Sequence, residues 1–118
     1  MKTMTTLAVV FALIIVGAVG YTPVGAAEEG KNIDQMIAEA KTPADHEAIA
    51  AYYEKQAQKA HQKHAKHEKM KERYEKNPAL NKSGFSTHCD LIAANYDKTA
   101  KEYEALAKLH KDMAKSAE

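Results

Sequence analysis

The sequence predicts an all-α protein: an antiparallel helical hairpin of two long, duplicated helices preceded by a short N-terminal helix, suited to dimerising into a four-helix bundle. Three observations carry this reading. After Pro43 no glycine or proline interrupts the chain until Pro78, and none occurs from Thr87 to the C-terminus. Between these stretches, NPALNKSGFS (77–86) gathers proline, glycine, asparagine and serine, the residues of a turn. The two stretches also repeat: IAAYYEKQA (49–57) lies on IAANYDKTA (92–100), and the same offset sets His67 on His110 and Met70 on Met113. No alternating run of β-branched residues outside the first 27 residues supports a strand.

The chain opens with a secretory pattern over 1–27. Lys2 precedes an apolar run from Leu7 to Gly20, followed by Pro23 and the small residues Gly25, Ala26 and Ala27. The run is short of the roughly 20 residues that span a bilayer, so cleavage after Ala26 or Ala27 is expected to leave no stable membrane anchor; an uncleaved anchor is the alternative if Tyr21 to Val24 extend the run. Residues 28–118 then form a single helical domain in an oxidising, periplasmic or secreted setting. There the single cysteine, Cys89, has no intramolecular partner. Seventeen basic residues face sixteen acidic ones, and removal of Lys2 balances them. No global field invites nucleic acid or an anionic membrane. A domain of this size has a marginal core unless metal, disulfide or oligomerisation adds to it.

The first helix is expected at about 33–41, where Asn32 and Gln35 form a capping pair and Ile33, Met36, Ile37 and Ala40 recur at helical spacing. Pro43 ends it and opens the next, because proline disfavours helical geometry in the preceding residue and suits a first turn. In TPAD, Thr42 is the cap and Asp45 faces the positive end of the helix dipole. The first long helix spans about 43–76, roughly 50 Å at about 1.5 Å per residue. After the loop at 77–86, THCD (87–90) offers a second threonine cap and starts a long helix over about 87–116.

A three-four spacing of Cys89, Ile92, Tyr96, Thr99, Tyr103, Leu106, His110, Met113 and Ala117 predicts a coiled-coil seam on the second long helix. The duplicate stripe on the first is His46, Ile49, Tyr53, Gln56, Ala60, Lys63, His67, Met70 and Tyr74. Folded back, these stripes set His46 against Met113, Ile49 against His110, Tyr53 against Leu106, His67 against Ile92 and Met70 against Cys89. A register one heptad away fits the loop as well. Such a polar seam buries little apolar area, so the short helix or a second hairpin is expected to cover it.

Soft and imidazole side chains collect at the two ends of this seam. Met70, Cys89, His67 and His88 fall near the loop; His46, His110 and Met113 fall at the open end. Sulfur and imidazole donors suit copper, and cysteine with histidine suits zinc. Each has a plainer role beside this one: methionine as core filler, Cys89 as a small buried hydrophobe, a seam histidine as a hydrogen-bonded core group. HQKHAKHEK carries His61, His64 and His67 at three-residue steps, which fan over about 120° of a helix. Adjacent pairs of these could chelate copper, zinc or nickel, but the eight basic residues from Lys55 to Lys76 oppose a tight cation site and also describe a solvated, titrating face.

No C-x-x-C-H motif attaches a haem, and no glycine-rich phosphate loop, H-E-x-x-H or paired catalytic carboxylates appear. His88 and Cys89 are neighbours on a helix, about 100° apart, and so cannot act as base and nucleophile. TPADHEAIAAYYEKQA followed by HCDLIAANYDKTAKEYEALAKLH resembles a group of uncharacterised secreted helical proteins of Gram-negative bacteria, carried by Thr42, Pro43, His46, Tyr53, His88 and Cys89. The resemblance implies a periplasmic location and no activity. The expectation is therefore a non-catalytic binding protein whose seam meets a protein partner or a second copy. A copper, zinc or nickel binder using the seam side chains is the alternative, and an envelope chaperone-like protein is a further one.

Overall fold

The computed structural model describes residues 32–116; the export signal read over 1–27 lies outside them. Four helices follow in order: α1 (Ile33–Glu39), α2 (Pro43–Glu75), α3 (Pro78–Asn81) and α4 (Phe85–Ser116), and no strand forms among the described residues. The two long helices pack antiparallel along their length, and α1 lies against α2. None of these helices is long and apolar enough to cross a membrane.

The start of α2 is built by its own sequence. Asp45 N–H donates to Thr42 Oγ1 (3.2 Å), while the Thr42 and Lys41 amides donate to Asp45 Oδ2 at 2.8 and 2.9 Å. This capping box satisfies amides that a helix start leaves without intrahelical partners. In α1, Asn32 plays the same part, accepting from the Gln35 amide at 2.9 Å.

The connection is tighter than a ten-residue loop. Pro78 starts the single turn α3, and α4 begins at Phe85, two residues before the threonine expected to cap it. Gly84, with φ at 75°, makes the turn, and the His88 amide bonds its carbonyl at 3.1 Å. Glycine reaches this left-handed geometry without the Cβ clash other residues meet, which allows the earlier start. Ser86 donates to Asn81 Oδ1, and Tyr74 stacks on Phe85 with ring centroids 5.1 Å apart, holding the loop end together.

The seam differs from the expected one on one flank. On α4 the buried positions are Ser86, Cys89, Ala93, Ala100, Ala107 and Ala114, with Tyr96, Tyr103 and His110 half-buried between them. Small residues thus recur at every seventh position, alternating with a ring or the Cys89 sulfur. Ile92, Leu106 and Met113, expected inside, are 39%, 37% and 49% exposed. On α2 the expected Ile49 is fully buried and Ala50 and Ala57 join it, while Gln56 is only half-buried and Lys63 is exposed. The cause is steric. Tyrosine and histidine rings already occupy one row, and a second row of large side chains would hold the backbones apart, whereas alanines let each ring pack against the opposing helix.

Both expected registers are corrected accordingly. His46 faces His110, not Met113; Tyr53 stacks on Tyr103 at 6.0 Å and on His110 at 5.9 Å; His67 stacks on Tyr96 at 5.7 Å rather than meeting Ile92. The repeat survives in three dimensions as a two-fold relation between the helices. The Tyr53–His110 stack (interplanar 28°) and the Tyr96–His67 stack (23°) are the same contact written twice, with Ala57 and Ala100 at the centre.

Candidate functional site

The open end of the hairpin brings one histidine from each long helix together. His46, in the first turn of α2, and His110, near the end of α4, place their Nδ1 atoms 3.1 Å apart with ring centroids at 5.4 Å. One ring donates an Nδ1–H and the other accepts through its lone pair. Tyr53 stacks on His110 with ring centroids 5.9 Å apart. Burial, with His46 beside it, holds His110 below its ordinary value of 6.5, so the neutral ring is favoured. At the cap next door, the backbone amide of Lys41, then the Thr42 hydroxyl and amide, hold the Asp45 carboxyl below 3.8.

The two-fold relation gives this pair a counterpart at the loop end, and there the chemistry changes. His67 takes the place of His110, and Cys89 takes the place of His46. Cys89 is a free, buried thiol, 6% exposed. His67 Nδ1 is buried and has no hydrogen-bond partner. The histidine that satisfies the equivalent atom in His110 is missing from this layer because position 89 is cysteine.

The remaining sequence candidates are spread apart. His88 is exposed and points away from its buried neighbour Cys89. Met113 is half-exposed on the outside of α4. Met70 lines a shallow groove of about 380 Å³ with Lys66, Lys69 and Arg73, a basic rim unsuited to a cation. Within the histidine strip, His61 Nε2–H donates to Glu104 at 2.7 Å and His64 Nδ1–H donates to the Ala93 carbonyl at 3.0 Å. Both are cross-helix ties, and His64 thereby directs its Nδ1 away from His61. Among the described residues no three histidine, cysteine or acidic side chains converge as a metal-binding group.

A feature that sequence reasoning missed is the apolar face beside the seam. Leu91, Ile92, Leu106, Leu109 and Met113 lie within an arc of about 100° on α4, at 57%, 39%, 37%, 60% and 49% exposure. The signal was present in the spacing of Ser86, Ala93, Ala100, Ala107 and Ala114, which competes with these larger residues for the seam.

Fold and site together define a histidine- and tyrosine-seamed helical hairpin. Compared with known proteins, the chain matches no family model, no curated protein and no solved structure.

Proposed function

We propose that this protein is an exported, non-catalytic interaction module, and that the apolar face of α4 docks on the same face of a second copy to give a four-helix bundle. The exposure of Leu91, Ile92, Leu106, Leu109 and Met113 on one side of one helix carries the reading. They form two clusters, Leu91 with Ile92 and Leu106 with Leu109 and Met113, separated on the same arc by Asn95, Thr99 and Glu102, and exposed apolar clusters of this kind mark association surfaces. The occupant is a second copy because the hairpin needs what such a copy supplies. Its own seam is filled chiefly by alanine, and Ile49 is the largest fully buried side chain among the described residues. Two helices packed through methyl groups gain little of the roughly 1.5–3 kcal/mol that each fully buried large aliphatic contributes. Bundling two hairpins puts leucine, isoleucine and methionine into a second core.

A non-catalytic role is supported by the separation of Cys89 from His88, which leaves the thiol buried and without a base on its own helix. The periplasmic setting rests on the sequence pattern over 1–27.

Sedimentation equilibrium over a concentration series tests the assembly. The protein is expected to populate a dimer, and Leu109→Asp, placed at the most exposed of the five side chains, to return it to monomer with unchanged helical circular dichroism. A protein that stays monomeric to high micromolar concentration overturns the second-copy reading and directs the face to an unlike partner. Undiminished dimerisation of Leu109→Asp together with Leu106→Asp also overturns it.

A further inference from the structure

We infer that His46 and His110 form a bidentate site for a divalent transition metal of the copper, nickel and zinc class, closing the open end of the hairpin. The inference rests on geometry independent of the dimerisation reading. Two imidazole nitrogens bound to one such ion at about 2.0–2.1 Å lie about 2.9–3.4 Å apart, for angles between square-planar and tetrahedral. The Nδ1–Nδ1 separation of 3.1 Å falls inside that interval before any ion is bound. In the hydrogen bond each Nδ1 is aimed at the other, so binding an ion requires the two rings to turn until both lone pairs converge beside the line that joins them; the Tyr53 stack on His110 lies alongside this pair. An ion entering between them replaces a hydrogen bond between neutral rings. The donor ring's proton moves from Nδ1 to Nε2, leaving a lone pair on each Nδ1 and no change in total proton count. Imidazole nitrogen suits these three metals, with copper(II) favoured by intrinsic affinity. The remaining coordination positions fall to water.

The duplication supplies an internal control. At the equivalent layer His67 has no histidine opposite it, because Cys89 stands where His46 stands. The loop end therefore lacks this imidazole pair, and replacing Cys89 by histidine should create one.

The test is isothermal titration of the purified, chelator-stripped protein with Cu(II), Ni(II) and Zn(II) chlorides, alongside thermal melts. The protein is expected to bind one ion through this pair and to melt at a higher temperature when loaded. His46→Gln and His110→Gln should each weaken that binding by more than the roughly tenfold that losing an outer-shell partner costs. His61→Gln and His64→Gln should leave it unchanged. Cys89→His should add a second ion of similar affinity. His46→Gln alters only the first turn of α2, so it remains informative if the seam variants fold poorly. Absence of binding by the protein, or binding that His46→Gln leaves unchanged, overturns the site. Dimerisation measured without metal reports on the other reading and distinguishes the two failures.

Discussion

Replacing Ala100 by leucine separates the alanine seam from the seam that hydrophobicity alone would choose. Ala100 is 0% exposed and sits at the centre of the two-fold relation with Ala57, itself only 3% exposed. Leucine adds three carbons to a layer formed by two methyl groups. Overpacking of a filled core costs about 1–3 kcal/mol, and the centre of two closely packed backbones, with little room to yield, belongs at the upper end. Helix propensity does not confound the result, since alanine and leucine both rank high. At about 4–8 °C per kcal/mol for a domain of this size, the melting temperature should fall by roughly 10–20 °C. The companion variant Ile92→Gln, at a position already 39% exposed, should cost about 1 kcal/mol, a fraction of what fully burying an isoleucine is worth. Urea denaturation followed by circular dichroism, at protein concentrations low enough to suppress association, measures both. A near-neutral Ala100→Leu with a large loss in Ile92→Gln would refute the alanine seam and restore Ile92, Leu106 and Met113 to the interior.

Three other outcomes follow from the termini and the turn. Thr42→Ala removes the hydroxyl that accepts the Asp45 amide and should cost about 1 kcal/mol in chemical denaturation; a neutral result would deny the cap its role. Gly84→Ala meets open space but must hold φ at 75°, so it should cost about 1–2 kcal/mol from backbone geometry alone, and an unchanged midpoint would refute a left-handed turn there. In chelator-containing buffer, the depressed His110 makes the unfolded chain the better proton binder below about 6.5, so its contribution is fully present above that pH and falls as pH drops towards the folded-state value. His110→Gln should flatten this slope, and an unchanged profile would assign it elsewhere. The separate acid limb, which sets in as pH falls below 3.8 towards the lower folded-state value of Asp45, should persist in that variant.

Much of the hairpin was legible from period alone. His46, Tyr53, Ala60, His67 and Tyr74 on α2, and Cys89, Tyr96, Tyr103 and His110 on α4, lie along the helix interface as their seven-residue spacing implies. The second row was misread because a ranking by hydrophobicity prefers isoleucine, leucine and methionine to alanine. Packing instead rewards small residues opposite rings, and that preference shows only as a strict repeat of Ala93, Ala100, Ala107 and Ala114. The choice of row decides which partners meet. His46 and His110 were both visible as candidates, but their contact follows only from the alanine register. The ties of His61 to Glu104 and His64 to the Ala93 carbonyl were hidden for the same reason. The start of α4 was misplaced because Thr87 and Asp90 imitate a cap, while Gly84 and its bond from the His88 amide set the boundary.

The matching Tyr53–His110 and Tyr96–His67 stacks mean that the two arms present the same ring pairing to each other at two layers of their interface. A circular permutant that begins with α4 and ends with α2 would meet the same neighbours layer by layer. This is the arrangement that tandem fusion of one self-pairing helix yields. The arms differ in chemistry at position 46 and its twin at 89, an imidazole in one and a thiol in the other.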